Sequence, residues 1–318
     1  CRVPPLQDLP AHLATAVVIR HPEAYPNFVF HGFFKTNSSL FLFLHAFPDT
    51  ALLAAGKVAV ALVVFAHAWV LPRLAVELGG RERLLGATLL AAPLVHNWFV
   101  AMGMLDYALG SALGLACVLL AVRQLREPRV SRAAALGALG LLVWYTHVFA
   151  LAVVVLLGAI ELARTRRASV VRAMAPLAPA IALAAWSAGV ELLRPHGAAG
   201  GALYRPPWVT AYELWAKYAW SFSKLELASL IVFGVLAVGL VRGRRADTPL
   251  LSFAAAMVLL ALAFAVPSEA ADWFAVNSRF LPFLSAAALV RVPVVSRAGG
   301  AALGACALAC SVGLGVDY

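Results

Sequence analysis

The chain has 318 residues, of which 63% are hydrophobic and only 13% charged, with a mean hydropathy of +0.88. Soluble domains run at roughly 45–50% apolar and about 25% charged, so a water-soluble core cannot absorb this excess and lipid is its natural solvent. The net charge of +10 does not point to nucleic acid, because its placement follows membrane crossings, as the chain order shows.

Residues 1–51 form the first polar segment. Asp8-Leu9-Pro10-Ala11-His12-Leu13 opens a predicted helix from Asp8 to Arg20 that lies along the membrane surface. Asp8 stands at the N-cap and Pro10 in the first turn, both favourable there. Asp8 and His12 are four residues apart and share a face. Leu13, Ala16 and Val17 supply an apolar stripe. The aromatic run Phe28 to Phe34 follows.

Ten membrane segments are then expected, near 52–72, 84–103, 106–122, 133–145, 147–163, 173–193, 226–241, 249–266, 280–296 and 299–316. Several fall short of the ~20 residues that span a bilayer. The whole chain is expected to form one all-α domain, a polytopic transmembrane helical bundle with amphipathic helices on its outer face.

Arginines mark the alternate loops. Arg73, Arg81, Arg83, then Arg123, Arg126, Arg129, Arg132, then Arg164, Arg166, Arg167, Arg172, then Arg242, Arg244, Arg245, and finally Arg291 and Arg297 are sixteen of the 25 basic residues. Five acids accompany them: Glu77, Glu82, Glu127, Glu161 and Asp247. The positive-inside rule places such short basic loops in the cytoplasm. Residues 133–163 have Arg-rich loops at both ends, so the chain must turn back between them, around Tyr145-Thr146-His147. The Arg/Ala/Leu-rich composition points to a bacterial plasma membrane. Residues 1–51 and the C-terminus then fall outside, and the chain reads as a fragment lacking a preceding transmembrane helix and a following outer domain.

The second outer loop, 194–225, carries Arg205, Trp208, Tyr212 and Trp215 among other aromatic and basic residues. Two readings stay open. Trp and Tyr anchor helices at the membrane interface. They also make a platform for a sugar or lipid headgroup, with cations holding phosphate. The third outer loop, 267–280, ends in Arg279, which is either a snorkelling anchor or a phosphate clamp, since guanidinium presents a planar fork.

Asp106 and His147 sit at membrane depth. Asp106 reads as the N-cap of its own helix and His147 as a satisfied buried histidine, but ionisable groups there are costly and raise a functional reading for both. Gly110 and Gly114, like Gly300 and Gly304, make small-residue faces for close helix packing. Cys306 and Cys310 read as small packing residues. Asn37-Ser38-Ser39 matches a glycosylation sequon of little meaning in a bacterium. No G-x-G-x-x-G after a strand, P-loop or H-E-x-x-H occurs, which argues against a cytosolic nucleotide site. The eight histidines form no recognised zinc pattern, so no metal site is assigned; Asp8 is the candidate ligand for a divalent ion if one takes part.

These residues together resemble the type C glycosyltransferase superfamily, integral membrane enzymes that use polyprenyl-phosphate-linked sugars on the extracytoplasmic side. Members carry an acidic residue in the first outer loop, and Asp8 stands in that place. Gly103-Met104-Leu105-Asp106-Tyr107-Ala108-Leu109-Gly110 looks like the G-F-x-N-Y-x-L-G element of bacterial proteins of this type, with Asp106 replacing Asn. Tyr145-Thr146-His147 looks like their Y-x-H helix tip, and Arg279-Phe280-Leu281-Pro282-Phe283 is similar to their R-F-L-P-F element. The resemblance implies a glycosyltransferase with a lipid-linked sugar as donor. Asp8 would be the base or metal ligand, with His12 orienting it, and Arg279, with Lys57 and Arg205, would hold the donor phosphate. Competing readings are a non-catalytic membrane subunit or assembly factor and a lipid-carrier flippase or transporter.

Overall fold

The computed structural model describes residues 7–30, 32–192, 201–219, 227–270 and 273–317. It is helical almost throughout. Five stretches are long and apolar enough to cross a membrane: Asp49–Gly79, Arg81–Ala101, Leu105–Arg126, Val148–Thr165 and Ala168–Val190. Further apolar helices of 10–17 residues accompany them.

Helix α1 (Leu9–Arg20) lies across the start of the bundle, and a short α2 (Ser39–His45) follows the aromatic run. Helix α3 (Leu52–Gly79) has 28 residues, about 42 Å at the usual rise, well beyond the ~30 Å hydrocarbon thickness. The segment expected at 84–103 is broken into α4 (Leu84–Val95) and α5 (Trp98–Ala101). Pro93 lies within α4, and the Asn97 carboxamide accepts from the backbone N–H of Phe99 at 3.0 Å and Val100 at 3.4 Å, starting a new helix. Then come α6 (Leu105–Arg126), α7 (Val130–Thr146) and α8 (Val148–Thr165), with the expected reversal at His147. Helices α9 (Ala168–Met174) and α10 (Ala178–Leu192) are joined by a 3₁₀ turn, and α11 (Pro207–Ala219), α12 (Ser229–Arg242) and α13 (Phe253–Ala265) complete the wall.

The stretch 280–296 is not a span. Helix α14 (Leu281–Leu289) has nine residues, about 13 Å, and eight of them are buried. It is an interior plug, and a regular helix resumes only at α15 (Arg297–Asp317). The loop before α14 contains a feature that helical periodicity does not announce: a tight antiparallel pair, β1 (Glu269–Ala270) with β2 (Trp273–Phe274).

The predicted small-residue faces divide. A Cβ on Gly110 would come within 2.7 Å of the His147 side chain, and one on Gly114 within 3.0 Å of Phe283, so both glycines permit close approach. Gly304 meets nothing within 4 Å and Gly300 only Leu85 at 3.8 Å, so the second pair is loosely packed. Cys306 and Cys310 are buried among apolar neighbours.

The bundle has two chemically distinct ends. Arg83 donates to the Val290 and Val292 carbonyls at 2.8 and 3.0 Å. Arg123 and Arg126 pair with Glu77 at 2.8 and 3.0 Å. Arg164 reaches Asp247 at 3.3 Å, and buried Glu161 accepts from the Leu250 N–H. Gly243 lies against the Arg291 side chain. All five arginine loops therefore gather at one end.

Candidate functional site

At the other end, the N-terminus of α1 is stitched to the α5–α6 turn. The Asp8 N–H donates to the Met102 carbonyl at 2.9 Å, and the His12 ring lies 3.2 Å from the Gly103 carbonyl oxygen. Gly103 is required here for two reasons. Its φ is +83°, and a Cβ would sit 2.9 Å from the Asp8 nitrogen. Leu9 and Leu13 pack onto Gly56 of α3. The far end of α1 is held by Asp49, whose carboxylate takes Arg20 and, at 2.7 Å, His21. That hydrogen bond raises the His21 imidazole above its ordinary value.

Asp8 precedes α1 as expected, yet its side chain makes no capping hydrogen bond. Asp106 also departs from expectation. Its helix is preceded by Met104, and Asp106 lies in the first turn. Its carboxylate instead caps α2 from across the bundle, accepting from the Ser39 hydroxyl at 2.6 Å and the Leu40 N–H at 3.1 Å. That one acid fastens α2 to α6.

The α7–α8 hairpin tip is bridged by Thr36, whose hydroxyl donates to the Trp144 carbonyl at 2.7 Å and accepts from the Val148 N–H at 3.1 Å. His147 Nδ1 accepts from the Phe149 N–H at 3.2 Å, capping α8, while Nε2 faces Arg279 Nη1 at 3.0 Å. A neutral imidazole accepts at one nitrogen only. The ring therefore serves one contact at a time: with its proton on Nδ1, Nε2 accepts from the Arg279 guanidinium; with its proton on Nε2, Nδ1 keeps the α8 cap.

Arg279 is only 5% exposed. Its guanidinium carbon lies 4.8 Å from the ring centre of Trp273, 5.4 Å from Tyr107 and 5.9 Å from Phe149. One Nη donates to the Phe274 carbonyl at 3.2 Å, and the Tyr107 hydroxyl holds the Arg279 backbone carbonyl. Nε has no partner among the described residues, and no described carboxylate pairs with the guanidinium. Aromatic faces attract a cation, but a buried charge without a counter-ion remains costly.

Trp273 joins this cluster to a chamber of about 750 Å³. Thr15, Val18 and Ile19 of α1 form one wall, and Phe28, Phe30, Phe33, Phe34 and Lys35 another. Phe41, Val148 and Trp186 complete it. The His12 ring meets Phe41 edge-on at 5.6 Å, and the His147 ring meets Trp273 at 5.7 Å. The chamber thus touches both groups of predicted residues.

Asp8, His12, Asp106, His147 and Arg279 are gathered at this end. Lys57 follows Gly56 on α3, beside the α1 contact, and does not line the chamber. Arg205 pairs with Glu269 at 3.3 Å, tying its strand-like segment to the hairpin through an exposed ion pair. The expected aromatic platform is split. Trp208 and Tyr212 are exposed on α11 away from the chamber lining, whereas the Trp215 indole donates to Ser229 at 3.2 Å and packs inward. Arg194, His196, Trp220 and Lys224 of the same loop, and Asp272 of the next, lie outside the described residues. Among the described residues no three His, Cys, Asp or Glu side chains group as metal ligands, so Asp8 has no ligand set assembled around it.

Sequence reasoning missed Thr36, Lys35 and Trp186. A lysine directly after a phenylalanine-rich run was a legible signal for Lys35; Trp186 and Thr36 become neighbours of the site only through folding. No protein-family model matches the chain, and no curated protein or solved structure matches it.

Proposed function

We propose that the chain is a membrane glycosyltransferase that moves a sugar from a polyprenyl-phosphate donor to an acceptor hydroxyl on the extracytoplasmic side of a bacterial plasma membrane. The observation that carries this reading is the Arg279–His147 pair. The Arg279 guanidinium is buried against His147 with no described carboxylate beside it, its Nε–H is unpartnered among the described residues, and the pair adjoins an aromatic chamber. A phosphate oxygen supplies what this arrangement lacks: it accepts from the guanidinium and balances its charge.

The assignment of roles follows from the chemistry. The acceptor oxygen attacks the anomeric carbon as the bond from that carbon to the phosphate oxygen breaks. The electron pair leaves with the phosphate, where Arg279 stabilises the developing charge. The hydroxyl proton passes to a base, a role that suits Asp8, whose carboxylate is not committed to capping. His12 sits one turn along the same helix. Aromatic walls suit both an isoprenoid chain and the face of a sugar ring. Asp106 and Thr36 act on position, by docking α2 and the hairpin tip.

The orientation rests on the positive-inside rule, with the arginine end cytoplasmic. Single cysteines placed at 126 and 205 are expected to label from opposite sides of sealed vesicles. The activity is tested with membranes containing the chain and a radiolabelled polyprenyl-phosphate sugar. Transfer to lipid-anchored or polymer acceptors is the expected result. Binding of the donor without transfer would return the chain to the class of lipid-carrier transporters or non-catalytic subunits.

A further inference from the structure

The arginine end carries a cavity of its own, about 690 Å³, between the ends of α6 and α8, the start of α9 and the turn that follows α12. Five arginines line it: Arg126, Arg164, Arg167, Arg244 and Arg245. Two of these are neutralised. Arg126 pairs with Glu77 at 3.0 Å, and Arg164 is clamped by buried Glu161 at 2.7 Å and by Asp247 at 3.3 Å. Arg167, Arg244 and Arg245 make no ion pair with a described residue. The cavity wall therefore carries a surplus of positive charge that no described residue balances.

Arg167, Arg244 and Arg245 are exposed to solvent, and what holds the concave surface they line is buried Glu161, which pairs with Arg164 while also accepting from the Leu250 N–H. Two helix ends and a tight turn are thereby held around a concave basic surface. Guanidinium groups converging on a polar cavity match the geometry of phosphate oxygens, and basic pockets between membrane helices on this side recognise anionic headgroups.

We propose that this cavity is a second ligand site, for a phosphate-bearing anion, at the end of the bundle opposite Arg279. The ligand is either the headgroup of an anionic lipid or a soluble phosphate compound. The site is independent of the reaction assigned to the other end.

The test uses the purified full chain in detergent micelles. Native mass spectrometry compares binding of phosphatidylglycerol with that of phosphatidylcholine, and thermal unfolding is followed with inorganic pyrophosphate. At about one kcal/mol per arginine near a charged surface, the two residues Arg244 and Arg245 correspond to a preference for phosphatidylglycerol on the order of tenfold to thirtyfold. The variant Arg244→Gln/Arg245→Gln is expected to bring that preference close to one. Arg81→Gln/Arg172→Gln removes the same charge outside the cavity wall and is expected to leave it. Preference for the anionic lipid assigns the ligand to the membrane. Stabilisation by pyrophosphate alone, lost in the same variant, assigns it to solution; either result supports the site. No response to either probe overturns it, and so does an equal loss in the two double variants.

Discussion

The two ends of the bundle use arginine in opposite ways. At the basic end, Arg123, Arg126 and Arg164 are partly exposed and meet carboxylates of Glu77, Glu161 and Asp247. At the other end, Arg279 is buried among Trp273, Tyr107 and Phe149 and faces a histidine. A solvated ion pair contributes little to stability, and many contribute nothing measurable. A buried cation held by a carbonyl, an imidazole and aromatic rings, with no described carboxylate beside it, is a structural cost that a bound anion would relieve. In the function proposed above, the contrast separates charge that orients a protein in a membrane from charge that meets the donor phosphate.

The strongest test of that contrast is Asp8→Asn. It removes the proton-accepting oxygen at the chamber end while keeping side-chain size. Transfer is expected to fall by about 10²–10⁴, the range for general base catalysis. Because the Asp8 side chain makes no capping bond, thermal stability is expected to stay unchanged even in Asp8→Ala. Wild-type turnover in Asp8→Asn would remove Asp8 from the mechanism.

Arg279→Met sharpens the comparison further. Loss of one charge-stabilising donor is expected to lower transfer by about 10²–10³. The ligand-free protein is expected to unfold at the same temperature or higher, since an apolar group replaces an unpaired buried charge. Arg279→Lys should fall between, keeping charge but losing the planar fork.

At the basic end the sign of the stability effect reverses. Arg164→Met strips the ion-pair partner from buried Glu161, and leaving a buried polar group underpaired costs about 1–3 kcal/mol. Denaturation monitored by tryptophan fluorescence in micelles would measure it. If Arg164→Met and Arg279→Met shift stability in the same direction, the proposed difference between the ends is wrong.

Gly103→Ala is a smaller and more local perturbation. A side chain at φ +83° costs roughly 1–2 kcal/mol, and the added methyl would press on the Asp8 backbone. Melting temperature should drop modestly, and transfer should drop with it if α1 must be seated for Asp8 to act.

The smallest expected effect is the pH dependence of the α1 clamp. Hydrogen bonding to Asp49 raises the His21 imidazole above its ordinary value of about 6.5. The protonated contact is therefore complete below that value and is lost as pH rises through the higher value of the folded protein. Both groups are exposed, so salt should weaken the effect further. An NMR titration of His21 is expected to shift down in Asp49→Asn, with Glu23 at 3.5 Å still acting on the ring.

Much of this was legible before folding was considered. The excess of apolar residues required helices in lipid, and the alternation of arginine loops required a reversal at Tyr145-Thr146-His147, because both flanking loops had to share a side. Those inferences hold because burying backbone and charge in hydrocarbon is so costly that composition alone enforces the outcome. Asp8, His12, His147 and Arg279 were also legible as polar groups in an apolar chain, and Asp8 and His12 as one helical turn apart, but the contact of His147 with Arg279 was not.

What those groups do to one another was decided by tertiary structure. Asp106 looked like a cap for its own helix and instead caps α2, because a carboxylate binds whichever N–H groups packing brings within reach. Residues 280–296 were apolar enough to suggest a span, yet α14 ends after nine residues and is enclosed by neighbouring helices, and apolarity does not distinguish lipid from protein interior. Arg205 looked like a phosphate ligand until Glu269 proved close enough to pair with it. The contact of His147 with Arg279, separated by 132 residues, has no sequence signature, because a hydrogen bond between distant side chains exists only once folding brings them to one place.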